Sequence, residues 1–196
     1  GLYQQDEGEI YFHGEKIEHL KPKQVTELGI CTIYQELNLC SNLTVGENIF
    51  LGKEPVKSFM NILQEDRIAE ASAKYLKMLS SDIDPRMMID RLSIAEQQIV
   101  EIAKALSYES EVIIMDEPTS SLTLKETEKL LEIVKSLRDQ GHSIVYISHR
   151  LEEVFQVADV VTVLRDGKHV GTDTIQNLDY DKIVQMMVGR EIENKY

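Results

Sequence analysis

Positive charge, cysteine and long apolar runs are all scarce in this chain of 196 residues. Lys and Arg number 21 against 34 Asp and Glu, a formal charge of −13. That balance excludes a surface built to neutralise nucleic-acid phosphates or to lie on anionic lipid, so no nucleic-acid partner is expected. The two cysteines, Cys31 and Cys40, belong to no Cys-x-x-Cys pair and no Cys/His cluster. A disulfide framework and a zinc site are therefore unsupported, and a reducing compartment fits best. The longest apolar runs, such as Val112 to Met115 and Val160 to Leu164, fall far short of the roughly 20 residues that span a bilayer. No signal-peptide pattern opens the chain. It begins Gly1-Leu-Tyr-Gln-Gln-Asp6 without methionine, which reads as the middle of a fold and predicts an N-terminal truncation.

What is present suffices for one substantial core. Hydrophobic residues make up 42% of the chain, and its length suits one domain of about 100–200 residues. Ile10, Phe12, a turn at Gly14 and then Lys16 to Glu18 read as an antiparallel hairpin, followed by helix signals from Lys21 to Leu28. Gly29 to Tyr34 is β-rich and leads into a polar loop, after which Thr44 to Leu51 suits a short helix. From Gln64 to Leu106 the pattern is helical, interrupted around Asp82 to Arg91, with Ile68, Ala71, Tyr75, Leu76 and Leu79 on one stripe.

Strands then alternate with helices. Val112–Met115, a helix at Leu124–Arg138, Ile144–Ile147, a helix from Leu151 and then Val160–Leu164 predict a parallel sheet covered on both faces. The first of these helices opens on a capping box, Thr123 to Glu126, and stops at Gly141. Asp166-Gly167 reads as a hairpin turn, and a last helix spans Tyr180 to Val188.

Chemistry concentrates in Val112-Ile-Ile-Met-Asp116-Glu117-Pro118-Thr119. An apolar strand ending in paired carboxylates puts both at the carboxyl end of a parallel sheet, where open α/β folds bind ligands. One carboxylate can hold the shell of Mg²⁺ and the next can polarise an attacking water. An acidic turn after a core strand has the same appearance.

Just upstream lies Leu92-Ser93-Ile94-Ala95-Glu96-Gln97-Gln98, leading into Ile99 to Leu106. It resembles the signature segment of ATP-binding-cassette (ABC) ATPases, and the Asp116-Glu117 strand resembles their Walker B strand. Tyr34-Gln35-Glu36-Leu37-Asn38-Leu39 resembles their glutamine loop. The turn Ser120-Ser121-Leu122-Thr123 and the switch histidine in Ser148-His149-Arg150 follow in the family's order. Within the family, Tyr-Gln-Glu-Leu-Asn-Leu, Glu-Asn-Ile-Phe-Leu-Gly and Met-Val-Gly-Arg are similar to the first cassette of tandem monosaccharide-import ATPases, the ribose and galactose group.

The resemblance implies an α/β fold: a P-loop NTPase-like core with a mostly parallel sheet, an antiparallel hairpin and a helical signature subdomain at about residues 52–106. Residues 1–190 would form a partial nucleotide-binding domain and 191–196 a linker toward a second cassette. It also implies ATP and Mg²⁺ as ligands. Asp116 would bind Mg²⁺ through water, with Gln35 sensing the metal and the water. Glu117 would be the general base and His149 would hold the γ-phosphate. Ser93, with Ala95 and Glu96 after it, would grip a nucleotide carried mainly by the opposite cassette, and Ser121 belongs to the same contact set. Transmembrane permease subunits, a sugar-binding protein and a place on the cytoplasmic face of the membrane complete the expectation.

The chain departs from the family twice. Where the signature usually reads Leu-Ser-Gly-Gly-Gln, Ile94, Ala95 and Glu96 stand here, adding bulk and negative charge at a phosphate-facing helix start. Ser93 and Glu96 are equally an ordinary capping box. The Gly-x-x-x-x-Gly-Lys-[Ser/Thr] loop is absent, and the first sheet strand with it; Gly46 to Lys53 has one residue too many between its glycines and is followed by Glu54. An intact parent hydrolysing ATP, a degenerate non-catalytic cassette, and a soluble ABC ATPase acting on ribosomes or DNA remain to be separated. The acidic composition argues against the last. Met87, Met88, Met186 and Met187 are expected to pack in the core or at subdomain contacts, Cys31 to be an inert strand residue, and His142 to be solvated.

Overall fold

A computed structural model describes residues 5–53 and 65–189. The expected helix start at Gln64, the beginning of the expected helical subdomain and the tail from Arg190 lie outside them. The chain divides into two units, Gly1–Ile147 and Ser148–Tyr196.

The first unit opens on β1 (Ile10–Phe12) and β2 (Glu15–Ile17), an antiparallel pair closed by His13-Gly14, both at positive φ as a tight hairpin turn requires. Then come α1 (Pro22–Glu27), β3 (Ile30–Ile33), α2 (Val45–Ile49), α3 (Glu65–Met78), a 3₁₀ turn at Ile89–Arg91, α4 (Ile94–Leu106), β4 (Val112–Asp116), α5 (Leu124–Asp139) and β5 (Ser143–Ile147). Strands β3, β4 and β5 form a parallel sheet with β4 in the middle, in register from Ile30 beside Val112 to Asp116 beside Ile147. Ile33, Ile113 and Met115 are buried in it, as are Val100, Ile102 and Ala103 of α4. Leu130, Leu131, Val134 and Leu137 form the buried stripe of α5, spaced as one helix face.

The expected cover on both faces fails at β5. Its residues alternate between exposed and half-buried, and Val145 and Ile147 keep 47% and 45% of their surface. An apolar run shows that a strand can be buried, while whether each face is covered depends on distant elements.

The helical part is fastened by polar side chains. Thr44 caps α2: its hydroxyl accepts from the Glu47 N–H, and the Glu47 carboxylate returns to the Thr44 N–H at 2.7 Å. Asn48, fully buried one residue later, accepts from the Cys40 N–H at 2.7 Å and donates to the Cys40 and Thr44 carbonyls at 3.0 and 2.9 Å. Gly46 is a contact glycine: a β-carbon there would meet Ile68 at 2.9 Å, so α2 and α3 approach as only glycine allows. On α3 the predicted stripe is rotated slightly. Ile68, Ala69, Ser72 and Leu76 are its buried residues, while Ala71 and Tyr75 are half-buried. Met87 is exposed rather than packed, and His142 is half-buried rather than solvated, its Nδ1–H donating to the Ser110 carbonyl at 2.7 Å.

The second unit contains α6 (Leu151–Val157), β6 (Val160–Arg165), β7 (Lys168–Thr174), a 3₁₀ turn at Ile175–Asn177 and α7 (Tyr180–Val188). β6 does not join the parallel sheet; it pairs antiparallel with β7 through Asp166-Gly167, at φ 52° and 72°. A two-residue turn with both φ values positive makes this local pairing inexpensive. The Asp179 side chain caps α7, and Gly189, at φ 76°, ends it. Leu151, Val163, Leu178 and Ile183 form the unit's core, with Met186 and Met187 packed against it.

Replacing Asn48 by Ala leaves the Cys40 N–H without its acceptor and removes the second bond to the Cys40 and Thr44 carbonyls, and is expected to lower unfolding free energy by about 1–3 kcal/mol. Urea denaturation monitored by circular dichroism checks it: the midpoint falls while the slope stays constant. Asn48→Asp, which turns donated bonds into carboxylate–carbonyl contacts, should fall at least as far.

Candidate functional site

The site begins with the end of β4. Asp116, the last residue of that strand, and Glu117 are both half-buried. Glu117 has φ 46°, a left-handed conformation that costs a non-glycine residue about 1–3 kcal/mol and persists only where surroundings impose it. Here its N–H donates to the Ile147 carbonyl at 2.9 Å, and its own carbonyl accepts from the Ser120 N–H at 3.1 Å. The chain therefore turns sharply after β4 and presents two successive carboxylates at the carboxyl edge of the sheet. Ser121 is exposed in the following turn, before Thr123 caps α5 through its box with Glu126.

Gln35 is exposed two residues past the end of β3, the neighbour of β4. Gln35 and Asp116 line one open cavity of about 1350 Å³, together with Lys53, Glu101, Lys104 and Tyr108. The structure thus brings two of the predicted residues, one amide and one carboxylate, to a shared space. Lys53 is not offered there as a free cation. Its Nζ lies 3.5 Å from the centre of the Tyr108 ring and donates to the Ser107 hydroxyl. Burial pushes its pKa down to about 8. With Gly46 inside α2 and Lys53 spent on Tyr108 and Ser107, the segment between them has no phosphate-loop form.

Ser93, Ala95 and Glu96 line a different cavity, of about 260 Å³, with Glu126 of α5. Ser93 caps α4 through the reciprocal box that the sequence offered as the alternative reading. Its hydroxyl donates to the Glu96 carboxylate at 2.9 Å and accepts from the Glu96 N–H at 3.3 Å, while Glu96 also accepts from the Ser93 N–H at 2.8 Å. The box satisfies the Ser93 and Glu96 N–H groups and places a negative charge at the helix start.

His149 is exposed in the second unit, and its two chain neighbours are held by Glu153 of α6. Glu153, 4% exposed, pairs with the Arg150 guanidinium at 2.9 Å and accepts from the Ser148 hydroxyl at 3.3 Å. The Ser148 oxygen in turn accepts from the Arg150 N–H at 3.0 Å. Sequence reading passed over Glu153, which lies among the polar residues of Leu151-Glu-Glu-Val-Phe. It also passed over Glu101, although a carboxylate inside Ile99-Val-Glu-Ile-Ala103 is a legible anomaly. Glu101 accepts from the Asn38 N–H at 2.8 Å. Burial raises its pKa, opposed by Lys104 and by that hydrogen bond.

Among the described residues no cluster of three or more His, Cys, Asp or Glu forms a ready-made metal cage. The oxygens of Asp116 and Gln35 match instead a hard cation that keeps water and arrives with phosphate, which is the preference of Mg²⁺.

Residues 1–120 match the family described as ABC transporter. The ribose import ATP-binding protein RbsA of Clostridium perfringens (strain SM101 / Type A) is 45% identical over all 196 residues, covering 39% of that protein. The galactose/methyl galactoside import ATP-binding protein MglA of Salmonella typhimurium is 42% identical over the same span, covering 38% of it. The chain thus spans well under half the length of these curated relatives. Among solved structures, the ADP conformation of an ATP-binding cassette of an ABC transporter superposes with a TM-score of 0.80 at 25% identity, over 97% of this chain and 80% of that one. A nucleotide-free ATP-binding cassette gives 0.79 at 24% identity, over 95% and 79%, a likeness of fold alone. With its parallel sheet and antiparallel hairpin, this chain belongs to the ABC transporter family.

Proposed function

We propose that the intact protein containing this cassette hydrolyses ATP to drive monosaccharide uptake through a membrane permease. The observation that carries the reading is the Asp116-Glu117 pair at the carboxyl end of β4, with Asp116 and Gln35 lining one cavity. In this reading Asp116 and Gln35 hold the hydrated Mg²⁺ that comes with ATP, and that ion neutralises charge on the β- and γ-phosphates. The Glu117 carboxylate accepts a proton from the attacking water as its oxygen bonds to the γ-phosphorus and the bond to the bridging oxygen breaks. His149 holds the γ-phosphate, with Ser148 and Arg150 fixed by Glu153 on either side. Ser93 and the backbone at Ala95 and Glu96 contribute to the nucleotide of a second cassette, as does Ser121.

The proposed partners are that second cassette, transmembrane permease subunits at the cytoplasmic face of the membrane and, indirectly, a sugar-binding protein. The names of the two import relatives support the transport reading; the choice of sugar belongs to other subunits. The phosphate-loop motif is absent from these 196 residues, so the chain by itself is proposed to bind ATP weakly.

A second reading, a cassette with a structural or regulatory role and no hydrolysis, is favoured by one observation: the Glu96 carboxylate occupies the anion-attracting start of α4. Glu117→Gln in the full-length protein separates the two. The catalytic reading expects kcat for ATP hydrolysis to fall by about 10²-fold or more while ATP affinity stays within a few fold. Hydrolysis unchanged by this substitution would come from the second cassette of the full-length protein and would favour the second reading.

Titrating the 196-residue chain with a fluorescent ATP analogue and Mg²⁺ tests the remaining claim. No saturation is expected at micromolar ligand, and a micromolar dissociation constant would overturn it.

A further inference from the structure

We infer that Glu101 and Lys104 grip the backbone of Asn38 on both sides of its Cα and are positioning residues for Gln35. The inference deepens the catalytic reading and rests on it for the role of Gln35. The two side chains stand three residues apart on α4, where they share a face. Glu101 accepts from the Asn38 N–H at 2.8 Å, and Lys104 Nζ donates to the Asn38 carbonyl at 3.3 Å. The two peptide groups that flank the Asn38 Cα are thus each held, one by its N–H and the next by its carbonyl, by a helix more than sixty residues away in sequence.

Nothing else fixes this loop so directly. Among the described residues, 35–39 make no backbone–backbone hydrogen bond, so the loop is not an extension of the sheet. Among the described residues, its other hydrogen bond is the Asn38 amide donating to the Glu36 carbonyl at 3.2 Å, inside the loop itself. The position of Gln35 relative to Asp116 is therefore fixed from two ends, by β3 two residues before it and by the anchored Asn38 three residues after it. Displacements of about 1 Å at a reacting centre are enough to lower rates steeply.

The location of Glu101 argues that the grip is selected for what it holds. Its neighbours Val100, Ile102 and Ala103 are fully buried, and Glu101 itself is 8% exposed. A carboxylate there is costly to desolvate, and an apolar residue of similar size would make α4 more stable. The compensation comes from the Asn38 N–H and the Lys104 ammonium. The cost is borne inside the helix and the benefit appears in the loop.

The test uses the full-length protein, wild type and variants, with two readouts. Amide hydrogen exchange of the segment containing Asn38 is expected to accelerate roughly tenfold or more in Glu101→Ala, which loses a hydrogen bond to a charged group. In Glu101→Gln, whose amide oxygen still accepts, exchange should return close to wild type. In the same proteins kcat for ATP hydrolysis should fall in Glu101→Ala with little change in KM for ATP, and recover in Glu101→Gln. A purely structural role would instead lower thermal stability without separating kcat from KM. Should Glu101→Ala fail to fold, Lys104→Met carries the test, with faster exchange and lower kcat expected.

Unchanged exchange at Asn38 overturns the grip. Faster exchange with unchanged kcat overturns the positioning role. Absence of hydrolysis in the wild-type protein would overturn the catalytic reading, and the positioning role with it, while exchange still decides the grip.

Discussion

The hydrogen-bond ladders that β4 makes on both of its edges are the constraint on which the first unit depends. They set Ile33 beside Met115 and Ile147 beside Asp116, so three parallel strands end at one edge. In a parallel sheet every strand delivers its following loop to the same side, which is why residues from distant parts of the sequence meet there. Gln35 follows one strand and Asp116-Glu117 follow the next. A slip of one residue would turn Ile113 and Met115 outward and reverse the alternation of β4, so the buried side chains that stabilise the sheet also fix its register. The strained turn at Glu117 is tied to the same ladder through its bond to Ile147.

Around that ladder, the irregular segments are secured by a few buried polar groups. The stretch from Gln35 to Thr44 lies outside the sheet, so its backbone groups need partners elsewhere. Asn48 takes the Cys40 and Thr44 end, and Glu101 with Lys104 takes Asn38. Both anchors lie on helices whose other buried residues, Gln98 of α4 apart, are apolar or glycine. The helices thus perform two tasks with different requirements: the apolar face supplies burial, and single polar residues hold a loop whose conformation burial alone would leave undetermined.

This division explains what the sequence disclosed. Hairpin turns at Gly14 and Asp166-Gly167, the capping boxes at Ser93 and Thr123, and the stop at Gly141 are local signals, and each corresponds to an element boundary in the structure. Pairing partners are not local. β6 resembled one more strand of the parallel sheet because its composition is the same, and only its short turn to β7 identifies the partner. Asp116 and Gln35 were legible through the order of motifs, and their meeting in one cavity required the fold. Glu101 and Glu153 went unread because hydrophobic periodicity treats a buried charge as an interruption rather than as a contact.

The start of α4 shows how a local optimum bears on binding. A helix N-terminus carries unpaired N–H groups and a partial positive charge, and an approaching phosphate would normally satisfy both. Here the Glu96 carboxylate already accepts from the Ser93 N–H and hydroxyl. The arrangement stabilises the free helix by an amount of the order of a cap, about 1 kcal/mol. A phosphate brought to the same place must coexist with that carboxylate or displace it from Ser93, losing the cap. Glutamine at this position would keep an acceptor for the Ser93 N–H without the charge. The substitution of an acid for a neutral amide therefore favours the empty state of this helix start over its anion-bound state, by electrostatics alone and without altering the fold.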